Sequence, residues 1–169
     1  MGRDKALVKV GGKPMIAWVV GALEEAGLEV VVAGRLEGWE GRRGLTDPPG
    51  RAGPLAGLMA ALGQGHDLVA VGVDQPWLRS ETVRRLVDLD GTAIPVDDGV
   101  RQVTCARYAA DLADDEGRAT SVQELLALIA HQTVDRDLWQ TWGEDGRSWF
   151  SVDDPKALAI GLERYGPPG

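Results

Sequence analysis

Apolar residues recur at helical spacing in some segments of the chain and form short continuous runs in others. The helical spacing, together with capping residues, predicts helices at residues 14–26, 53–62, 80–88, 121–129 and 155–165. The short runs, several of them rich in β-branched residues, predict strands at residues 29–33, 68–73, 92–96, 103–108 and 149–152. Strands that alternate with helices favour an α/β layer fold with a mostly parallel sheet.

The run at residues 68–73 is apolar throughout, which predicts a central strand of a parallel sheet. In such sheets, ligands bind beyond the carboxyl ends of the strands, near the switch in strand order. Binding residues are therefore expected just after Val73, just after Val152 and at the N-terminus. No linker is long enough to divide the chain, so residues 1–169 are expected to form a single domain.

Composition narrows the possible functions. The chain has 169 residues, is 44% hydrophobic and carries a formal net charge of −8, which is typical of a globular protein and argues against a broad nucleic-acid surface. No apolar stretch is long enough to span a membrane, and no signal peptide is evident. With one cysteine, Cys105, the chain forms no internal disulfide, and a cytoplasmic location is expected. The two histidines, His66 and His131, lack ligand-type spacing, which argues against a zinc site.

Two cations, Arg3 and Lys5, lie beside a glycine ahead of the first predicted helix. A triphosphate needs fixed cations and N–H donors for binding and reaction, so this segment is a candidate phosphate site. The alternative is a mobile, charged N-terminus, which is common in proteins.

Carboxylates follow two of the predicted strands. Asp74 comes directly after the run at 68–73, where one or two protein carboxylates suit Mg²⁺. The alternative for Asp74 is a turn or a helix cap, since Pro76 follows. Asp153 and Asp154 follow the last predicted strand. Either can supply a second metal ligand, but an Asp before Pro155 also caps a helix. The two roles are compatible because two carboxylates are present.

The segment from Asp47 to Gly57 is rich in glycine and leads into a helix that begins near Pro54. Glycines permit close backbone approach to a ligand, and a helix N-terminus attracts anions. The segment is neither a Walker A loop nor a dinucleotide fingerprint, and a plain loop-to-helix junction is the alternative.

No arrangement of residues typical of nucleophilic catalysis is evident, and Cys105 is expected to be buried. Most tryptophans are expected in the core or at its rim, although Trp77 follows Asp74 and is a candidate for facing a ligand.

Taken together, these segments resemble the molybdenum cofactor guanylyltransferase family over nearly the whole chain. The most distinctive match is GPLAG at residues 53–57 with Asp47 ahead of it, which resembles D…G-P-L-A-G. The other matches lie in the same order as in the family: MGRDKALV at 1–8, GKPM at 12–15, VDQP at 73–76, QVTCARY at 102–108 and SVDDP at 151–155.

The resemblance implies a three-layer, Rossmann-like nucleotidyltransferase fold and transfer of GMP from GTP to molybdopterin, with release of pyrophosphate. It implies that Lys5 neutralises charge on the α-phosphate, and that Asp74 and Asp153 hold Mg²⁺. The guanine nucleotide would contact Asp47 and the backbone of the turn, with Arg3 as a further cation. The turn residues are Gly53, Pro54, Leu55 and Gly57. GTP and molybdopterin are the implied partners, along with molybdoenzymes or proteins that handle the cofactor.

Departures from the family leave alternatives open. Members open with a central strand and an L-A-G-G-x-S-x-R loop, and this chain is expected to lack both. Ser151 stands where members have Asn, and residues 32–35 lack the polar side chain that many members place there. A cytidylyltransferase that uses CTP on the same pterin is therefore an alternative, as is a non-catalytic protein that binds the cofactor or a partner.

Overall fold

The computed structural model describes residues 5–34, 44–46, 53–114 and 118–169. Its helices are α1 (Met15–Glu25), α2 (Pro54–Leu62), α3 (Ser80–Val87), α4 (Val122–Leu128), α5 (Arg136–Thr141) and α6 (Pro155–Tyr165). Its strands are β1 (Lys9–Val10), β2 (Lys13–Pro14), β3 (Val32–Ala33), β4 (Gly44–Leu45), β5 (Leu68–Val71), β6 (Ala93–Asp97), β7 (Val100–Arg101), β8 (Cys105–Tyr108) and β9 (Gln132–Val134). None of the helices in these ranges combines the length and the apolar character that crossing a bilayer requires.

The first described residues form a turn and a short hairpin that lead into α1. A 3₁₀ turn covers Lys5–Leu7, and β1 and β2 then form a tight antiparallel hairpin. Gly11 and Gly12 turn this hairpin with φ values of 57° and 86°, a region that favours glycine. The backbone N–H of Met15 donates to the carbonyl of Val8 at 2.9 Å, which ties the turn to the start of α1. Lys5 therefore lies in a turn whose next residue in the chain direction, Val8, bonds both the carbonyl of Lys5 and the start of α1.

The larger sheet contains β5, β8, β6 and β9 in that order. Strand β8 pairs antiparallel with both β5 and β6, whereas β6 and β9 are parallel. Strands β5, β6 and β9 consequently run in one direction, and β8 runs against them. A hairpin extends this sheet through β7, which pairs antiparallel with β6. The predicted central strand at 68–73 forms as β5, but within the described residues it pairs only with β8, in antiparallel register.

The two faces of β5 pack against different helices. The side chains of Val69 and Val71 join a cluster with residues of α1 and α3, and those of Leu68 and Ala70 join a cluster with residues of α2 and α4. Successive strand residues point to opposite faces of a sheet, so this alternation places helices on both sides. The expected three-layer α/β architecture is confirmed.

A smaller sheet consists of β3 and β4, which are parallel. The predicted strand at 29–33 is regular only at its last two residues, Val32 and Ala33. No described strand joins β3 to β5. Helix α2 nevertheless contacts both β3 and β5, which places the smaller sheet beside the larger one.

The predicted strand at residues 149–152 is wrong. Residues Arg147–Trp149 form a 3₁₀ turn, and the following residues are extended without a ladder. The carboxylate of Glu144, which is 3% exposed, stabilises the turn. It accepts hydrogen bonds from the backbone N–H groups of Asp145, Gly146 and Ser148, and from the hydroxyl of Ser148. A side chain that gathers several N–H groups favours a turn over a sheet.

The helix and strand predictions otherwise agree with the structure to within a few residues at each end. The capping box at Ser121 is present, because its hydroxyl accepts from the N–H of Glu124 at 3.1 Å. Six elements were not predicted, the short strands β1, β2, β4, β7 and β9 and the helix α5. Asp135 caps α5 by accepting from the N–H of Leu138.

Candidate active site

The backbone turns sharply where β5 ends. The N–H of Gly72 donates to the carbonyl of Thr104 at 2.7 Å and to the side-chain oxygen of Gln75 at 2.9 Å. Gln75 is 1% exposed, so its amide holds the turn from inside. A Cβ atom at Gly72 would lie 2.7 Å from Oδ1 of Asp74. Glycine at this position is therefore what allows the carboxylate of Asp74 to fold over the strand end.

Asp153 lies at the same end of β5 as Asp74. The N–H of Val152 donates to the backbone carbonyl of Asp74 at 2.8 Å, which joins the two segments. The Nζ of Lys5 lies 2.7 Å from Oδ1 of Asp153. The structure thus brings together Lys5, Asp74 and Asp153 at the carboxyl end of β5.

The neighbouring carboxylate has a different role. The side chain of Asp154 accepts from the N–H of Ala157 at 2.7 Å and caps α6, with Pro155 at the first helical position. The side chain of Asp153 instead extends to Lys5. Of the two roles predicted for this pair, the structure thus shows the helix cap, at Asp154, and leaves the side chain of Asp153 in contact with Lys5.

The charges of the site affect one another. Burial raises the pKa of Asp74, and the negative charge of Asp153 raises it further. A hydrogen bond from its own backbone N–H and the positive charge of Lys5 act in the opposite direction. The hydrogen bond to Asp153 raises the pKa of Lys5, and the charges of Asp74 and Asp154 add to that effect. Two carboxylates and one ammonium leave a local excess of negative charge, which suits an additional cation.

Among the described residues, no group of three or more His, Cys, Asp or Glu side chains is arranged to hold a metal ion. Two carboxylates that approach each other at a strand end match the requirement of Mg²⁺. This ion takes one or two protein carboxylates and fills its remaining positions with water and phosphate oxygens. The donor set of Asp74 and Asp153 is therefore chemically suited to magnesium.

The glycine turn at 53–57 forms the N-terminus of α2. Gly53 has a φ of 77°, and no side chain of the described residues caps the helix. Pro54 has no N–H, and the N–H groups of Ala56 and Gly57 donate to the carbonyl of Gly53, so the N–H of Leu55 is the donor of the first turn that has no partner among the described residues. The side chain of Leu55 is 4% exposed and lies in the core, which leaves only its backbone for a nucleotide. A Cβ atom at Gly57 would lie 2.9 Å from the Cβ of Ala33, so packing against β3 already requires glycine there.

Helix α2 returns directly into β5 through residues 63–67. Its C-terminus therefore lies near the start of β5, and its N-terminus lies toward the strand end that carries Asp74. Arg3 and Asp47, the other two predicted nucleotide ligands, lie outside the described residues.

Trp77 does not face the site. Its ring is 4% exposed and packs against Phe150 and Tyr165, and its Nε1 donates to the carbonyl of Gly166 at 2.8 Å. A Cβ atom at Gly161 of α6 would lie 2.2 Å from the same ring. Trp77 therefore anchors the C-terminal helix behind Asp74. Cys105 is buried and free, as expected.

The residues that shape the turn lie outside the predicted site residues. Gly72, Gln75 and Thr104 position Asp74 through hydrogen bonds, although none was singled out. A signal was available for Gly72, since a glycine inside an apolar run indicates a close backbone approach. Thr104 is distant in sequence and gave no such signal.

Comparison with known proteins identifies the family of the chain. A family model described as the MobA-like NTP transferase domain matches residues 1–137. A molybdenum cofactor guanylyltransferase of Rhodobacter capsulatus is 38% identical over 98 residues, covering 51% of this chain and 50% of that protein. The crystal structure of molybdopterin-guanine dinucleotide biosynthesis protein A from Archaeoglobus fulgidus superposes with a TM-score of 0.79 at 24% identity, covering 96% of this chain and 90% of that chain.

A 2-C-methyl-D-erythritol 4-phosphate cytidylyltransferase of Thermus thermophilus has the same fold, with a TM-score of 0.67 and 20% identity over 94% of this chain and 92% of that chain. At these identities the solved structures establish the nucleotidyltransferase fold, and the fold alone. The chain spans about half the length of the curated relatives that it matches. Because the family model covers well over half of its residues, the chain belongs to the MobA-like NTP transferase family.

Proposed function

We propose that this protein transfers GMP from GTP to molybdopterin and releases pyrophosphate. The observation that carries the proposal is the convergence of Lys5, Asp74 and Asp153 at the end of β5. Membership of a nucleotidyltransferase family supports the reaction class. The relative from Rhodobacter capsulatus, itself named a guanylyltransferase, supports GTP as donor and molybdopterin as acceptor.

The reaction needs little covalent work from the protein. An oxygen of the terminal phosphate of molybdopterin forms a bond to the α-phosphorus of GTP, and the bond between the α-phosphorus and the bridging oxygen to the β-phosphate breaks. Pyrophosphate leaves with the electron pair. The attacking phosphate is already ionised, so no general base is required. Catalysis then depends on positioning and on neutralising charge.

Lys5 and Asp74 are the residues that we propose to be catalytic. Lys5 would neutralise negative charge on the α-phosphate, exchanging its contact with Asp153 for one with the nucleotide. Asp74 and Asp153 would hold Mg²⁺. The bound ion would supply electrostatic stabilisation of the phosphate oxygens. The raised pKa of Asp74 supports this assignment, because a carboxylate that is largely buried and lies near a second carboxylate is stabilised by a bound cation.

The nucleotide itself is proposed to lie at the N-terminus of α2. Backbone N–H groups at Gly53–Gly57 would contact it, with Arg3 and Asp47 as further ligands. The N–H of Leu55, which has no partner among the described residues, supports this placement, because the N-terminus of a helix attracts anionic or polar ligand edges. The buried side chain of Leu55 restricts its contribution to its backbone.

Replacement of Asp74 by Asn tests the proposal. We expect Mg²⁺-dependent binding of GTP, measured by titration calorimetry, to be lost. Pyrophosphate release with molybdopterin should fall on the order of 10²-fold or more, without loss of the folded state. Asp111→Asn is the matched control. Asp111 is an exposed carboxylate at the opposite end of the sheet, where the neighbouring Ala110 N–H bonds Asp67.

Three other results of this experiment would change the proposed function. Unchanged binding and turnover in the Asp74→Asn variant would remove Asp74 from the mechanism. Tighter Mg²⁺-dependent binding of CTP than of GTP would reassign the protein to cytidylyl transfer. Failure of the unaltered protein to bind either nucleotide or to release pyrophosphate would favour the non-catalytic alternative.

We also propose that residues 1–169 form one nucleotidyltransferase domain. The support is the ion pair between Lys5 and Asp153, which joins residues 148 positions apart at a single site. Strand β5 also packs into two clusters that contain residues from both halves of the chain. A cytoplasmic location stays a prediction from the single cysteine.

A further inference from the structure

One small apolar cluster contains residues from all three chain segments that carry the charged site residues. It is distinct from the two larger clusters on the faces of β5. Its buried members are Val10, Met15, Trp77 and Val152, and its partly buried members are Val8, Phe150, Leu158 and Tyr165. We call these eight residues the Trp77 cluster.

Each of the three segments contributes a member of the Trp77 cluster close to its charged residue. The members nearest in sequence to Lys5, Asp74 and Asp153 are, in that order, Val8, Trp77 and Val152. The N–H of Val8 donates to the carbonyl of Lys5 at 3.1 Å, and the N–H of Val152 donates to that of Asp74 at 2.8 Å. A change in the packing of the cluster is therefore transmitted to the backbone of the site.

Trp77 is the largest side chain of the cluster and is held on several sides. Its ring lies 5.7 Å from that of Phe150 and 5.9 Å from that of Tyr165, measured between ring centroids. Gly161 of α6 leaves no space for a side chain against the same ring. The ring therefore has one position in this packing, and Asp74 lies three residues ahead of it in the chain.

The indole N–H of Trp77 extends this packing to the hairpin that follows Lys5. It donates to the carbonyl of Gly166 at 2.8 Å, at the end of α6. Pro168, two residues further on, is buried, and a Cβ atom at Gly11 in the hairpin turn would lie 3.9 Å from its Cδ. Trp77 thus fixes a segment that packs directly on the hairpin.

The charged groups do not hold these segments together by their own attraction. The side chains of Lys5 and Asp153 are 44% and 69% exposed, and exposed ion pairs contribute little to stability. The backbone hydrogen bond from Val152 to Asp74 joins only two of the three segments. The separation of Lys5 from Asp153 therefore depends on apolar packing.

We propose that Trp77 is a positioning residue of the transferase site, which holds Lys5, Asp74 and Asp153 in the geometry that neutralising phosphate charge requires. It touches none of the reacting groups. A displacement of about 1 Å by a change away from the chemistry can lower a rate about 100-fold. The inference deepens the proposed function and rests on it for its effect on catalysis, whereas the positioning itself can be measured without nucleotide.

Carbodiimide cross-linking measures the positioning in the protein alone. A water-soluble carbodiimide joins an amine and a carboxylate in direct contact through an amide bond, so the Lys5–Asp153 peptide pair is detected by mass spectrometry. Trp77→Phe should slow formation of this cross-link by about threefold or more, because the rate depends on how often the two groups are in contact. The helical circular dichroism of the variant should be retained.

Trp139→Phe is the matched control. Trp139 is 2% exposed, donates its indole N–H to the carbonyl of Val96 and belongs to a different cluster. This variant also loses an indole hydrogen bond from the core, but it should keep the cross-linking rate within about 1.5-fold of the unaltered protein.

Steady-state kinetics distinguish positioning from a general loss of stability. Trp77→Phe should lower the kcat of pyrophosphate release by about tenfold or more and change the KM of GTP by less than about threefold, because the N-terminus of α2 is not altered. Trp139→Phe should change neither constant. If the unaltered protein transfers no GMP but Trp77→Phe alone slows the cross-link, the proposed function fails and the positioning by Trp77 stands.

A second variant keeps the test valid if Trp77→Phe does not fold. Gly161→Ala presses on the ring from α6 and retains the indole, so it should also slow the cross-link, whereas Gly21→Ala in α1 should not. Three results would overturn the inference: equal cross-linking rates in every folded variant, an equal fall in Trp77→Phe and Trp139→Phe, or no Lys5–Asp153 cross-link in the unaltered protein.

Discussion

The two carboxylates that precede α6 differ in what they touch. Asp153 reaches Lys5 from an exposed position, with 69% of its side chain accessible, whereas Asp154 bonds the backbone of its own helix. Their environments follow from geometry, because the Ncap side chain turns back toward the N–H of the first helical turn. The residue one position earlier is free to face the end of β5.

Replacing each by alanine should separate the two roles. Asp154→Ala is expected to lower the free energy of unfolding by about 1 kcal/mol through loss of the cap and to preserve Mg²⁺-dependent binding of GTP. Asp153→Ala should change stability by less than about 0.5 kcal/mol, since exposed ion pairs contribute little. It should weaken Mg²⁺-dependent binding of GTP by about tenfold or more, as loss of a metal ligand implies. Urea unfolding and titration calorimetry measure both effects. If Asp154→Ala weakened binding instead, the metal assignment would be reversed.

Ionisation of Asp74 predicts a pH dependence of stability. Burial, together with the charge of Asp153, raises its native pKa above the ordinary value of 3.8. At pH values between the ordinary pKa and the raised native pKa, the folded state therefore binds more protons than the unfolded state. The stability of the folded state falls as pH rises through that window. Below 3.8, Asp74 is protonated in both states and makes no such contribution.

The measurement is the difference in free energy of unfolding between the unaltered protein and Asp74→Asn, followed over pH without divalent cations. Asn does not titrate, so subtraction removes the other carboxylates. We expect the unaltered protein to lose stability relative to the variant as pH rises above 3.8, and added Mg²⁺ to restore part of the loss. A difference that stays flat, or that rises with pH, would contradict the burial of this carboxyl group.

Helix α6 depends on a contact that has no space for a side chain. Gly161 lies against the ring of Trp77, and a Cβ atom there would approach two of its carbon atoms to 2.2 and 2.5 Å. Ring packing with Phe150 and Tyr165, together with the hydrogen bond to Gly166, holds the tryptophan in place. The ring cannot move away without loss of these contacts.

Gly161→Ala should therefore destabilise the protein by about 1–3 kcal/mol, even though alanine favours helices. Gly21→Ala in α1 is the matched control, because nothing lies within 4 Å of a Cβ atom at that position. That variant should gain about 0.5–1 kcal/mol from helix propensity. Urea unfolding of both variants gives the comparison. Stabilisation by both changes would show that α6 is not packed against Trp77.

The helices and strands differ in how far their local sequence determines whether they form. The amphipathic spacing of α1 and the capping box of α4 are local, and both helices form as predicted. Residues 149–152 look equally strand-like, but the carboxylate of Glu144 draws the preceding backbone into a turn. That carboxylate is also bound by the hydroxyl of Thr82, which is 62 positions away. A local pattern does not contain such a partner.

At the scale of the whole molecule, the chain is expected to unfold as one unit. The buried tryptophans Trp77, Trp139 and Trp149 lie outside the cluster beneath α2 and α4. Tryptophan fluorescence and far-ultraviolet circular dichroism therefore report on different parts of the fold. In a urea titration both probes should give the same midpoint. Separate midpoints would show that residues 1–169 contain independently stable units.

The sequence alone determined the helices other than α5, the strands β5, β6 and β8, the burial of Cys105, and the position of Asp74 beyond an apolar strand. Each of these depends on periodicity, capping or the strand-edge rule, which act over a few residues. Only the tertiary structure decided that Asp153 rather than Asp154 meets Lys5, and that Trp77 and Leu55 face the core. Periodicity specifies which face of an element is apolar but not which neighbour covers it, because that choice depends on contacts between residues far apart in the chain.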